Sequence, residues 1–164
     1  LGVGVGLEPS ARMAGIARER GVEVVGGSAE KLPFKESVFG AVVMVTTICF
    51  LDDAFAAFRE AHRVLSPAGG FVVGFVDRNS SLGQLYLKNR NENVFYKEAS
   101  FYSIDEVLEL MRRTGFGDFE FRQTVFRHPK EITENETVER GYGRGSFVVI
   151  LGKKLKNRRK DEQI

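Results

Sequence analysis

The first ten residues, LGVGVGLEPS (1–10), allow two readings, and the choice between them sets the fold. In the first reading they are strand one and the glycine loop of a nucleotide-binding α/β fold. Such a loop opens a helix, and an acid that holds the ribose follows about twenty residues later, at the end of strand two. Gly2, Gly4 and Gly6 then give G-x-G-x-G without the x-x-G ending, and the nearest acid is Glu23, ahead of the strand end in VEVV (22–25). In the second reading the stretch is strand two. Val3, Val5 and Leu7 form the strand, Glu8 stands at its carboxyl end, and Pro9-Ser10 open the next helix. A carboxylate there can accept from both ribose hydroxyls, each charged bond contributing roughly 1.5–3 kcal/mol. The second reading fits better and places the true glycine loop upstream of Leu1. The plain alternative for Glu8 is a solvent-exposed strand-end residue.

The chain has 164 residues, 43% of them hydrophobic, enough for one domain with a real core. Cys49 is its single cysteine, so no intrachain disulfide can form, which suits a reducing, cytoplasmic setting. No apolar run approaches the ~18 residues of a membrane helix, and no signal peptide is recognisable. Net charge is +2, but KKLKNRRK (153–160) carries six basic residues, leaving the remainder at −4. That is a mildly acidic body with a basic tail over 153–164, not a nucleic-acid or membrane surface.

Strand and helix patterns then alternate. ARMAGIARERG (11–21) has Met13, Ile16 and Ala17 on one helical face and Gly21 as a stop. VEVV (22–25) is a short β-branched strand, and GGSAEKLPFKES (26–37) a polar loop. VFGAVVMVTTI (38–48) is a continuous apolar run, expected as a strand buried on both faces. Asp52-Asp53 start a helix with Ala54, Ala57, Phe58, Ala61 and Leu65 as its apolar face, ended by SPAGG (66–70). FVVGFV (71–76) is the next buried strand. Residues 78–102, polar with scattered Tyr86, Phe95, Tyr96, Phe101 and Tyr102, read as an irregular or partly helical insertion. Ser103-Ile-Asp-Glu106 is a capping box, with Ile104, Val107, Leu108 and Met111 behind it. FEFRQTVF (119–126) alternates as a half-exposed strand, and SFVVILG (146–152) is expected to pair with it antiparallel. This order predicts an α/β, doubly wound, Rossmann-like and mostly parallel sheet with an antiparallel last strand, and ligands at the strand carboxyl ends.

Four stretches carry a resemblance: GLEPS (6–10), GSAEKLPF (27–34), FGAVVMVTTICFLDD (39–53) and REAHRVLSPAGGFVVGFVD (59–77). They resemble the class I S-adenosylmethionine-dependent methyltransferases, in the group that includes the ubiquinone-biosynthesis C-methyltransferases (methyltransferase type 11). GSAEKLPF, set against the family's G-D-A-E-x-L-P-F, is the most specific of them. The later run from Phe101 to Phe116 also fits, so the resemblance covers nearly all of 1–152. It implies S-adenosylmethionine as cofactor. It also implies that the family's first motif, an acid followed by G-x-G-x-G, with the first strand and helix, lies upstream of Leu1. Three further departures stand out: Gly40 where the family has Asp, Ser28 where it has Asp in the adenine loop, and Cys49 where it often has His.

Carried over residue by residue, the resemblance implies that Glu8, followed by Pro9, accepts from the ribose hydroxyls. Ser28 would meet the adenine amino group and the Ala29 backbone N–H a ring nitrogen. Met44, Val45 and Thr46 would line the methionine half, although apolar strand ends more often serve the core. Tyr86, Phe95 and Tyr96 are candidates for the acceptor side. No catalytic triad is needed, because the sulfonium is already activated and positioning can supply roughly 7–11 kcal/mol. If the acceptor must lose a proton, Tyr86, Tyr96 and His128 are candidates without rank. His62 and His128 have no second ligand at metal spacing, so no metal is expected.

The expected function is methyl transfer to a small-molecule acceptor. The alternatives are a non-catalytic fragment or binding module, and a nicotinamide-dependent oxidoreductase. With the first strand absent, the 164 residues alone are expected to bind S-adenosylmethionine poorly, and a version extended upstream to bind it well.

Overall fold

A computed structural model describes residues 4–92 and 94–155, without the side chains of Glu92, Val94 and Phe95. In chain order the elements are β1 (Gly6–Leu7), α1 (Ala11–Glu19), β2 (Val24–Val25), β3 (Phe39–Val45), α2 (Ala54–Val64), β4 (Leu65–Val76), α3 (Ser81–Lys88), α4 (Val94–Lys97), α5 (Ile104–Arg113), β5 (Phe116–Thr124), β6 (Glu139–Arg140) and β7 (Phe147–Lys154). The fold is α/β. A five-stranded sheet has the order β3-β4-β7-β5-β6, and β1 and β2 pair parallel as a separate ribbon. β3 and β4 pair parallel. β7 inserts antiparallel between β4 and β5, so β3, β4 and β5 share one direction and β7 and β6 oppose it.

One face of this sheet is closed by α2 and α5. Asp53 caps α2 by accepting from the Ala56 N–H, and Ala54, Ala57, Phe58, Ala61 and Val64 are buried. The Ser103–Glu106 capping box forms as expected, and Ile104, Val107, Leu108 and Met111 are all buried. Both helices pack on Phe71, Val73, Phe75, Val148 and Ile150. The pleat sends the alternate residues of each strand to the other side.

Several expectations are corrected. β3 is not buried on both faces. Met44 is in the core, whereas Val43 is 63% and Val45 46% exposed. Among the described residues no strand pairs with β3 on the side away from β4. In α1 the buried residue is Ala14, and Met13 points to solvent. The strand expected over 3–7 is assigned only at Gly6–Leu7, and Val3 lies outside the described residues. SPAGG does not precede the strand but belongs to it as an irregularity. Phe39 pairs with Leu65 and Ala41 with Gly70, so the extra residues loop out. The insertion after β4 contains α3 and α4, and Ser80 caps α3 by accepting from the Gly83 N–H. β7 runs to Lys154, two residues past the expected end of the strand at 152. Lys154 Nζ donates to the backbone oxygens of His62 and Leu65, both at 2.7 Å, which anchors the strand end. The rest of the tail, from 156, lies outside the described residues.

His62 gives the fold a pH dependence. Its ring meets Phe116 edge-on at 5.3 Å, and Nε2 is buried without a hydrogen-bond partner among the described residues. Burial, and then the Lys154 ammonium, push its pKa below the ordinary 6.5. The unfolded chain therefore takes up the proton first as pH falls. This contribution to stability is complete above about pH 6.5 and declines below it. In denaturant melts at about pH 7.5 and 5.5, His62→Phe is expected to reduce the loss on acidification; an unchanged loss would assign the pH dependence elsewhere.

Candidate functional site

The carboxyl ends of β1, β2, β3 and β4 carry the loops in which an α/β sheet holds its ligands. At β1, the backbone fixes the strand end through Gly6 N–H to Glu23 O at 2.7 Å and Glu8 N–H to Val25 O at 3.2 Å. Glu8 is half-buried and its Oε1 accepts from the Ser10 N–H at 2.9 Å. Its Oε2 has no donor among the described residues. Pro9 is exposed, and Ser10 caps α1 through Oγ.

The GSAEKLPF loop folds back onto this strand. A Cβ added at Gly27 would lie 3.2 Å from Leu7 Cδ1 and 3.4 Å from Pro33 Cδ. Ser28 is exposed, whereas Ala29 packs against the core. The loop is held from α2 by a pair that its helical pattern did not single out. Glu60 Oε2 accepts from the Leu32 N–H at 2.8 Å, and Arg63 donates to Phe34 O at 2.8 Å and Leu32 O at 3.0 Å. The two side chains bond each other at 2.7 Å. The Arg63 guanidinium holds the Glu60 carboxyl below its ordinary range, helped by the Leu32 N–H. The available signal was their i, i+3 spacing on the polar face of α2. Arg63→Ala is expected to cost about 1–3 kcal/mol, since two carbonyls lose charged donors. Hydrogen exchange should quicken across residues 27–34; unchanged protection there would show that the pair does not hold the loop.

At the end of β3 the three expected contacts divide. The Met44 side chain is committed to the core, so only its backbone remains at the strand end. Val45 and Thr46 are exposed. Thr46 has φ +53°, a region costing a non-glycine residue about 1–3 kcal/mol. Its N–H donates to Gly74 O and its Oγ1 to Val45 O, both at 2.8 Å, which hold it there.

Beyond Thr46 lies a cavity of about 240 Å³. Its walls include Cys49, Tyr86, Tyr96, Phe101 and Tyr102, so two of the three expected acceptor-side residues meet at one place. Phe95 lies in α4, but its side chain is outside the described residues. Tyr86 and Tyr96 stack at 4.3 Å, and Phe101 lies 6.1 and 5.9 Å from them. The wall is tied at both ends. Ser100 N–H donates to Cys49 O at 2.8 Å, and Arg78, paired with Glu106 at 2.9 Å, donates to Phe101 O at 3.2 Å. Burial, then the hydrogen bond with Tyr96, push the Tyr86 phenol up to about 12. Burial also raises Tyr102 and Cys49. Tyr86 is thus a poor base. His128 is not in this wall: its Nδ1 accepts from the Lys130 N–H at 3.2 Å and caps a short turn.

A larger cleft of about 910 Å³ includes Glu36, Arg59, Arg113 and Lys154. It lies by Lys154 at the amino end of β4, opposite the ligand side of such a sheet.

Residues 3–73 match a methyltransferase domain family. A solved SAM-dependent methyltransferase from Thermotoga maritima, described as a possible histamine N-methyltransferase, is 53% identical with a TM-score of 0.91. It covers 93% of this chain, which spans 73% of its length. An uncharacterised protein of Methanocaldococcus jannaschii is 36% identical over 92% of this chain and 73% of its own. A demethylmenaquinone methyltransferase of Chlorobaculum tepidum is 32% identical over 60% of this chain and 42% of its own.

Proposed function

The chain belongs to the class I S-adenosylmethionine-dependent methyltransferases, and from that premise we propose that it transfers the methyl group to a small molecule held in the aromatic cavity beyond Thr46. The cofactor of this family is S-adenosylmethionine. Membership decides against the nicotinamide alternative.

The residues present fit this cofactor. Glu8 offers an acceptor oxygen with no donor among the described residues, as ribose hydroxyls require. Ser28, exposed in the loop that folds over Leu7, offers a neutral acceptor to the adenine amino group, beside the Ala29 N–H. Val45 and the strained Thr46 stand at the next strand end, where the methionine half belongs, with Met44 contributing backbone alone. When bound, the cofactor supplies an activated methyl group; this chain's residues orient the acceptor and exclude water. The side of β3 that is unpaired among the described residues and the exposure of Val43 and Val45 support a further strand between β1 and β3 when the site is assembled.

The observation that carries the reading is the cavity itself. At about 240 Å³ it lies below the range of roughly 300–1,000 Å³ usual for drug-sized ligands. The Thermotoga maritima relative's description as a possible histamine N-methyltransferase supports an acceptor of that size. A mildly acidic body gives little attraction for nucleic acid or an anionic membrane. The test is a labelled-methyl screen against small-molecule, protein and RNA fractions. Label is expected in the small-molecule fraction; label confined to protein or RNA would overturn the proposal.

A further inference from the structure

Resting on the methyl-transfer reading above, we infer that the cavity takes a flat, uncharged acceptor which attacks through a nitrogen lone pair and becomes a cation inside the aromatic wall. The lining sets the charge that the acceptor can carry. Among the described residues it contains no carboxylate, imidazole, ammonium or guanidinium. An anionic acceptor would lose its water there and gain no counter-charge. A phenol or enol acceptor would need its proton taken, and the groups at hand are poor bases. Tyr86 is pushed up to about 12, and burial keeps Cys49 a thiol.

A neutral nitrogen needs none of this. Its lone pair forms the new nitrogen–carbon bond while the carbon–sulfur bond breaks, and that bond's electron pair stays on sulfur. The positive charge thereby passes from sulfur to nitrogen, and no proton has to move first. An amine or imidazole product that still carries an N–H then loses that proton to water; a pyridine-type ring nitrogen has none to lose and stays cationic. The wall suits that change. Tyr86, Tyr96 and Phe101 form one cluster with centroids 4.3–6.1 Å apart, and Phe50, Phe75 and Tyr102 add three more rings to the lining. Aromatic faces attract a desolvated cation through their quadrupole, without a buried carboxylate to hold the product. The ties from Arg78 and Cys49 to residues 100–102 keep the wall in place.

The test uses the full chain with three probes of one shape: quinoline, N-methylquinolinium and quinoline-4-carboxylate. Calorimetry is expected to rank the cation above the neutral ring by roughly three- to thirty-fold, with the carboxylate weakest. Tyr96→Leu should abolish the preference for the cation, whereas Tyr96→Phe, which keeps the ring, should retain it. A carboxylate that binds as well as the cation, or a preference that survives Tyr96→Leu, would overturn the inference. A parallel titration of the complete protein with S-adenosylhomocysteine separates the two readings. If it fails to bind while the probes rank as expected, the methyl-transfer reading fails and the cation pocket stands.

Discussion

Phe71→Ala is expected to destabilise the protein by about 3–5 kcal/mol. The side chain is fully buried in β4, with ring centroids 5.0 Å from Phe58 of α2 and 5.1 Å from Phe116 of β5. One ring therefore joins the helix layer to two strands of the sheet. Removing it leaves a cavity that neighbours in three elements cannot all close. Against an ordinary stability of about 5–15 kcal/mol this is a large share, and for a domain of this size it corresponds to a melting point lower by roughly 6–20 °C. Val72→Ala, one residue along on the half-exposed face, should stay within about 1 kcal/mol. Thermal melts of the two variants decide the matter. Equal losses would mean that the core is not concentrated on the side of α2 and α5.

Much of this fold was legible because its local signals agree with its packing. The α5 pattern at Ile104, Val107, Leu108 and Met111 and its capping box each name the same buried face. The pairing of 119–126 with 146–152 was legible because the first run alternates, the second is a β-branched apolar run, and the connection between them has no helical pattern for a parallel crossover. β3 failed for a physical reason. A continuous apolar run reports what a strand can bury, not what covers it, and Val43 and Val45 are apolar yet exposed. The site was legible in part. Tyr86 and Tyr96 stood out as aromatics in a polar insertion, but that they stack beside Thr46 depends on how α3 and α4 fold back over β4. The Glu60–Arg63 clasp was hidden because its partners are backbone groups about thirty residues away, which leave no mark on the helix that holds them. The strain at Thr46 was equally silent, since a β-branched residue gives no warning of a positive φ.

In the complete protein, Glu8→Ala is expected to weaken binding of S-adenosylhomocysteine, the same nucleoside without the methyl, by roughly 10- to 150-fold, the equivalent of about 1.5–3 kcal/mol. The backbone at this position does not depend on the side chain. Glu8 N–H bonds Val25 O, and the β1–β2 pairing holds Gly6 and Leu7 in register. The carboxylate's contact within the described residues is one exposed N–H, that of Ser10, which water can satisfy after truncation. The variant should therefore melt within about 0.5 kcal/mol of the parent, so a loss of affinity reads the ribose contact rather than unfolding. Glu8→Gln separates charge from shape. It keeps an acceptor oxygen and loses the charge, so its affinity should fall between the other two. Calorimetric titration of all three proteins checks the order. Unchanged affinity in Glu8→Ala would leave Glu8 only its bond to Ser10, as a strand-end residue steadying the entry to α1, and the nucleoside would have to be held by other groups.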